Sequence, residues 1–594
     1  MLKTVICSWR GHCYTKISLA PFSLLTHLCT TSTTTSTRKM SFSADVLGGK
    51  RPGEEASVNP EPPAKRPRTV DGEHAETASD STTAMDAILP VSDALVDDIA
   101  QSTSTVDTSS KLPDGKGKRK EKKNVGRRSR GTRVEGPRPE GGEQSREPRL
   151  PKRMCALLLG FCGSGYRGMQ FQRAQSGRPA VTTIEGTLFD ALVRAGAISK
   201  DNSDDPVKVN LQRAARTDAG VHAAGNVVSL KMIPFVPGQG DMLTRINQEL
   251  PPDIRVWDFV RTKNAFNARL LCDSRKYTYF FPSYLLIPPK PGSALFRNIE
   301  QYMSTLPSGP VSPTCDFWSN LDLKTLTLEE ELRRKRSWRV DSIHLERLRT
   351  TAKRYEGTHN FHNFTVARNP KDGTNKRYMK VIDVLDPQTH GDTEWIPVVF
   401  HGQSFMLHQR KMMFALIMSC RTGTPDSVIN ELYSLRRMVI PKVPALGLLL
   451  ECPIYDVYNM NVIPVNQNLE PSDPSFRPPI DFAKQAEKMA EFKQKFIYTS
   501  MRGIEDRKGL FDAWIRSVDA YAGNDLLYYN PEGTIPDVCV IKDGERRLHP
   551  FKERKIFNRT DFGDDGEGKV EIEDEEGEEE DVRMDKKTLE EMEG

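Results

Sequence analysis

CALLLGFCG (Cys155–Gly163) is the first stretch of this 594-residue chain that a folded core could claim. It is short, apolar and closed by glycine, the pattern of a β-strand. The chain before it offers no core. Residues 45–150 are rich in Pro, Gly, Ser, Thr and charge, with little apolar periodicity, and are expected to be disordered. Residues 1–44 contain no Asp or Glu, several Lys/Arg and many Ser/Thr. That is the composition of a mitochondrial transit segment. Met40 offers an internal start that would remove it, and a stretch captured by a wrong start codon is the equal alternative. Order is therefore expected from about residue 151, near Met154.

From there strand-like and helix-like runs alternate irregularly. TTIEGTLFDALVRAG (Thr182–Gly196) has a capping-box pattern in Thr182 and Glu185 and one apolar face, Ile184, Leu188, Leu192 and Val193. Residues 207–212, 226–232, 275–281 and 394–402 read as strands. Residues 341–357 and 405–420 read as helices, the first stopped by Gly357. The pattern predicts an α/β (α+β) domain over about 151–460. An amphipathic helix at Asp481–Ile497 is expected to dock on it within a helical extension, 461–525. From 526 to 594 the chain turns polar and then acidic, and a disordered tail is expected.

Charge is placed unevenly. Residues 111–154 hold 16 Lys/Arg against 6 Asp/Glu, and residues 561–594 hold 17 Asp/Glu against 4 Lys/Arg. The net charge of +5 thus conceals a basic body. Such a body suits a polyanionic partner, and a solvated charged surface explains it equally well. Lys50-Arg51 and PAKRPR (Pro63–Arg68) resemble a bipartite nuclear import signal. KGKRKEKK and RRSRGTR beyond them could serve import or add phosphate affinity. The reading is nuclear, with a mitochondrial form through residues 1–44. The ten cysteines form no CxxC pair, which fits a reducing compartment. No run of about 18 apolar residues suggests a transmembrane helix.

Metal chemistry finds little support. His359, His362, His401 and His408 lack a Cys or carboxylate partner at ligand spacing, so no metal is expected. GSGYRG (Gly163–Gly168) is neither a P-loop nor GxGxxG. No Ser or Cys sits in a nucleophile elbow. What remains is RTDAGVHAAG (Arg216–Gly225). Taken alone, Asp218-Ala219-Gly220 between strands is a sound turn, because Asp can bond its own backbone and glycine tolerates positive φ. Arg216 and His222, close by in a basic chain, raise the chemical reading of Asp218.

RTDAGVHAAG resembles the signature of the TruA family of pseudouridine synthases. GSGYRGMQ, INQELPPDIRV (Ile246–Val256), FNARLLCDSRKYTYFFP (Phe266–Pro282), YEGTHNFHNFT (Tyr355–Thr365), GQSFMLHQRKMM (Gly402–Met413) and VPALGLLLE (Val443–Glu451) follow in the family's order. The likeness covers about 154–460, extends to about 515, and is strongest to the eukaryotic multisite tRNA branch. It implies two ferredoxin-like subdomains, about 151–270 and 271–460, sharing an antiparallel sheet around a basic central cleft. It implies isomerisation of uridine to pseudouridine in RNA, without a cofactor. A monomer is expected. tRNA is the implied partner, with messenger and small nuclear RNA as further candidates.

By matching position, Asp218 is the nucleophile or anion, Tyr277 the tyrosine beside the base and Arg410 the basic partner of Asp218. Leu448 lines the uracil pocket, Arg216 helps displace the target base, and Gly447 and His222 belong with the substrate side. Whether Asp218 attacks sugar or base stays open. One departure bears on Arg410. Family members of this type read His-Gln-Ile-Arg-Lys-Met, whereas this chain reads His408-Gln409-Arg410-Lys411-Met412 and has Phe414 where glycine is usual. A residue missing inside a helix turns every later side chain by about 100°. A local adjustment such as a bulge or shifted cap would keep Arg410 on Asp218, and a gene-model error at an exon boundary is the competing explanation. Failure to adjust would leave a catalytically impaired RNA-binding or tRNA-folding protein.

Overall fold

The computed structural model describes residues 150–173, 181–307, 316–319, 321–366, 368–545 and 547–560. The expectations for residues 1–149 and for the acidic end, 561–594, lie outside these residues. One ten-stranded sheet organises the fold. Its first half contains β1 (Arg153–Phe161), α1 (Ile184–Arg194), β2 (Gln212–Arg213), β3 (His222–Met232), α2 (Met242–Glu249) and β4 (Ile254–Arg261). Its second half contains β5 (Ser274–Pro282), α3 (Ser342–Lys353), β6 (Gly357–Asn360), β7 (Lys376–Val384), β8 (Gln388–His390), β9 (Thr393–Gly402), α4 (Lys411–Arg421) and β10 (Leu448–Ile454).

The spatial order is β4-β1-β3-β10-β5-β9-β7-β6, with β2 on β3 and β8 on β9. Each half therefore repeats one winding. β4-β1-β3-β2 and β10-β5-β9-β7 are both β-α-β-β-α-β units of the ferredoxin-like kind. The sheet is not antiparallel throughout, which corrects the expectation. At the seam β3 and β10 run parallel, with Leu449 opposite His222 and Leu450 opposite Ala223. Parallel neighbours need a long crossover, and here the whole second half of the sheet supplies it.

β1 has no polar face because both of its faces are covered. Cys155, Leu157, Leu159 and Phe161 pack with Leu188 and Leu192 of α1 and Ile246 of α2. Met154, Ala156 and Leu158 turn the other way, into a core that holds Trp257 and Phe492. Phe492 belongs to α5 (Ala486–Phe492) and meets Trp257 edge-on at 5.3 Å. The amphipathic segment thus docks as expected, and full burial of a side chain such as Phe492 contributes about 1.5–3 kcal/mol. After a π-helical turn, α6 (Thr499–Lys508) and α7 (Leu510–Asp519) complete this layer. No described helix is long and apolar enough to cross a membrane.

Three local expectations are corrected. Residues 207–212 are not a strand. Pro206–Val209 forms a 3-10 turn that ends in left-handed Asn210, because Pro206 starts it and the Asp205 carboxylate accepts from Val207 N at 3.0 Å. The cap of α1 is Thr183, whose Oγ1 accepts from Gly186 N at 3.2 Å. Glu185 is buried instead, paired with Arg213 and accepting from Phe171 N at 2.8 Å. Residues 526–560 are not a solvated tail. Leu526, Tyr528, Tyr529, Cys539 and Phe557 are buried, and Tyr528 Oη donates to Val439 O at 2.8 Å. Widely spaced apolar anchors hold this stretch on the domain although its average composition is polar.

Candidate active site

The seam of the sheet decides where the chemistry sits. The turn carrying Asp218 leads directly into β3, Leu448 opens β10, and Tyr277 on β5 pairs with Leu450. The Asp218 turn is buttressed by the glycine loop after β1. Met169 N donates to Thr217 O at 3.1 Å, and Val221 N closes the turn on Asp218 O at 3.2 Å. A Cβ on Gly163 would lie 2.1 Å from Val221 O, so the two backbones can approach only without one. Gly220 adopts φ +76°, which the turn requires. Buried Asn226 of β3 clamps the approach to the turn. Its Nδ2 donates to Ala215 O at 3.0 Å and its Oδ1 accepts from Ala215 N at 3.3 Å.

Arg410 reaches Asp218. The expected helix over 405–420 begins only at Lys411, with Arg410 as its N-terminal flanking residue. His408 takes a left-handed conformation, φ +59°. The departure is absorbed in this turn, ahead of the helix, at a cost of about 1–2 kcal/mol for a non-glycine residue. Arg410 Nη1 pairs with Asp218 Oδ2, Nε donates to Val443 O at 3.1 Å, and Nη2 donates to Asn558 Oδ1 at 2.5 Å. Nothing in the sequence pointed to Asn558, which belongs to the stretch expected to be disordered. Phe414, in the glycine position, is fully buried against Trp514 and Tyr529.

Electrostatics favour an ionised Asp218. Burial raises its pKa, but His408, Arg410 and Lys442 outweigh this and hold the carboxyl below its ordinary value. His408 Nε2 lies 3.8 Å from Oδ2. The Asp218 side chain keeps 32% exposure while that of Arg410 keeps 3%, so the anion can be approached and its partner cannot.

Asp218 borders two spaces. One is a cavity of about 250 Å³ lined by Tyr277, Tyr279, Leu448, Phe405, Arg216 and Met412, among others. An apolar cavity of about 150 Å³ suffices for benzene, so this one admits a pyrimidine ring. Tyr277 meets Phe405 edge-on at 4.9 Å. Tyr279, on the same strand face, is sealed beneath with Oη donating to Pro444 O at 2.8 Å. Burial, the largest influence, raises the Tyr277 phenol to about 12 against the opposing effect of Arg275. The other space is a groove of about 780 Å³ that also touches Asp218, His408 and Arg410. Its walls carry Arg368, Lys411, Arg437, Lys442, Lys552 and Lys555.

Of the expected residues, Asp218, Tyr277, Arg410, Arg216 and Leu448 converge on the cavity. Gly447 stands behind it, where a Cβ would lie 2.3 Å from Phe280 O. His222 does not line it, which corrects its assignment to the substrate side. As the first residue of β3 it points into the sheet, fully buried, and its Nδ1 accepts from Gly163 N at 3.0 Å. The other histidines go separate ways. His359 stacks on Tyr433, His362 bonds Arg436 O and His401 bonds Ser274 Oγ.

Two joined β-α-β-β-α-β units, with one carboxylate at their seam between a base-sized cavity and a basic groove, define the TruA-type class. A family model described as tRNA pseudouridine synthase matches residues 351–456. The tRNA pseudouridine synthase 1 of Candida glabrata is 40% identical over 420 residues, covering 64% of this chain and 73% of that protein. That of Saccharomyces cerevisiae is 42% identical over 402 residues, covering 61% and 72%. The tRNA pseudouridine(27/28) synthase of Saccharomyces cerevisiae is 32% identical over 390 residues, covering 62% and 99%. The chain belongs to the tRNA pseudouridine synthase family.

Proposed function

We propose that the protein isomerises uridine to pseudouridine in tRNA, with Asp218 acting on the target nucleotide. The observation that carries this reading is the Arg410–Asp218 ion pair at the mouth of a base-sized cavity beside a basic groove. The reaction breaks N1–C1′ and forms C5–C1′. The C5 proton leaves and N1 gains one, so atoms balance without redox or group transfer. The nucleotide must first leave its stack, which costs a few kcal/mol. Groove cations offset this by holding the flanking phosphates.

The Arg410 guanidinium, paired with Asp218, helps keep that carboxylate anionic for its attack, whether on sugar or base. Tyr277 stays a neutral phenol, able to lie beside the uracil and to share a proton at C5. Leu448 and Met412 exclude water around the ring, and Arg216 stands where it can occupy the space the base vacates.

tRNA carrying tritium at uridine C5 tests the reading. The wild type should release tritium, and Asp218→Asn should bind tRNA without release. A wild type that binds tRNA and releases nothing would overturn it. Messenger and small nuclear RNAs presenting an unstacked uridine are proposed as further substrates, checked by the same release. The basic clusters at 50–51 and 63–68 support nuclear action, and the composition of 1–44 supports a mitochondrial form. Fluorescent fusions starting at Met1 and at Met40 would separate the two compartments. A monomer is proposed, checked by sedimentation.

A further inference from the structure

At the opposite end of β1 from the Asp218 turn, five cations converge. Lys152 and Arg153 stand where β1 begins, Arg261 and Lys263 where β4 ends, and Arg477 lies beyond the helix Asp456–Asn466. They line one concavity of about 620 Å³, to which Asn264 and Ser475 add polar side chains. Among the described residues, no carboxylate lines it. Cys155 pairs with Arg261 across the strands, while Phe161, at the other end of β1, pairs with Ala223 beside the seam. At about 3.3 Å per residue, β1 separates the concavity from the catalytic cavity by about 26 Å.

These cations are oriented by neutral oxygens. Lys152 Nζ donates to Ser199 Oγ at 2.8 Å, and Lys263 Nζ to Asn461 O at 3.1 Å. Arg477 Nη1 donates to Phe476 O at 2.9 Å and to Pro474 O at 3.2 Å, and Arg261 shares Pro474 O. Arg153 Nη1 donates to Lys152 O at 3.1 Å. Some surface cations elsewhere are matched by acids, as in Arg194–Glu249 and Lys208–Asp204. Among the described residues no carboxylate pairs with these five cations, and like charges gathered in this way repel unless an anion joins them. Lys152 and Arg153 also close the most basic stretch of the sequence, residues 111–154.

We propose that the concavity is a second RNA site, which holds backbone phosphates of the RNA whose uridine enters the catalytic cavity. The identity of that RNA rests on the proposed function. Two sites about 26 Å apart along β1 let the RNA be held at a point remote from the reacting uridine. Binding strength is then set partly by a surface that takes no part in the isomerisation.

Lys152→Gln/Lys263→Gln tests this, since both side chains are exposed and their replacement leaves the core intact. Arg477→Gln, added as a third change, deepens the effect. With full-length tRNA, KM should rise several-fold at unchanged kcat. The slope of log affinity against log salt should flatten by about 1.4–1.8 for two lost contacts at roughly 0.7–0.9 each. A short stem-loop carrying the same uridine should show equal KM for variant and wild type. An unchanged KM and salt slope on full-length tRNA, with unchanged thermal melting, overturns the proposal. So does loss of tripolyphosphate binding in the variant while tRNA binding stays intact, since the site would then take small free phosphates. Binding is also measured on Asp218→Asn protein. A weakened variant there supports the RNA site even if the wild type releases no tritium.

Discussion

Asn558→Ala isolates what the C-terminal segment does for the reaction. Arg410 is held on three sides, by Asp218, by Val443 O and by Asn558 Oδ1 at 2.5 Å. Removing the third leaves the ion pair in place but lets the guanidinium rotate about its remaining bonds. A hydrogen bond to a charged group contributes about 1.5–3 kcal/mol when buried. Asn558 is half-buried, so water recovers part of this, and about 1–1.5 kcal/mol is expected. That corresponds to roughly a tenfold loss in rate. The loss should appear in single-turnover tritium release, as a fall in the chemical rate with tRNA affinity nearly unchanged. Asn558→Asp should not rescue, because a second carboxylate competes with Asp218 for the same guanidinium. Wild-type release by Asn558→Ala, at unchanged melting temperature, would refute the reasoning. So would a loss confined to KM, since Asn558 would then serve the groove and not Arg410.

Neutralising the partner, Arg410→Met, removes a charge that lowers the Asp218 pKa, so the acid limb of residual activity should move to higher pH. Tyr277→Phe keeps the ring against Phe405 and removes the phenol, so kcat should fall by about 10²–10⁴ with KM little changed. Glu505, buried and bonded by Tyr284 Oη and Phe511 N, is raised by burial to about 7. Its folded pKa lies above its ordinary 4.5, so its contribution is complete below about pH 4.5 and lost as pH rises through 7. Glu505→Gln should therefore melt higher than wild type at pH 8, by on the order of 3 kcal/mol, and alike at pH 4.5. Gly220→Ala would place a Cβ 2.5 Å from Thr560 Oγ1 in a left-handed turn, and should cost activity that Thr560→Gly restores only in part.

Much of the site was legible because its chemistry is local in sequence. Asp218 sits in a turn that glycine and flanking strands mark, and Tyr277 and Leu448 lie in short motifs. His222 belongs to the same motif, yet its place at the start of β3 aims it into the sheet, at the Gly163 amide. Motif membership placed it in the turn's neighbourhood, and the strand decided its direction. Arg410 shows the opposite case. Counting residues along an assumed helix left its direction open, and the left-handed His408 resolved it before the helix began.

By itself, then, the sequence determined which segments could be strands or helices and which carboxylate was chemically distinctive. Those properties arise from composition, periodicity and turn chemistry, all read over a few residues. Only the tertiary structure decided that β3 and β10 meet in parallel and so bring Asp218, Tyr277 and Leu448 to one cavity. It alone carried Asn558 to Arg410 across 148 residues. Polar average composition concealed the buried anchors of residues 526–560, because whether a few apolar side chains hold a segment depends on the surface they meet.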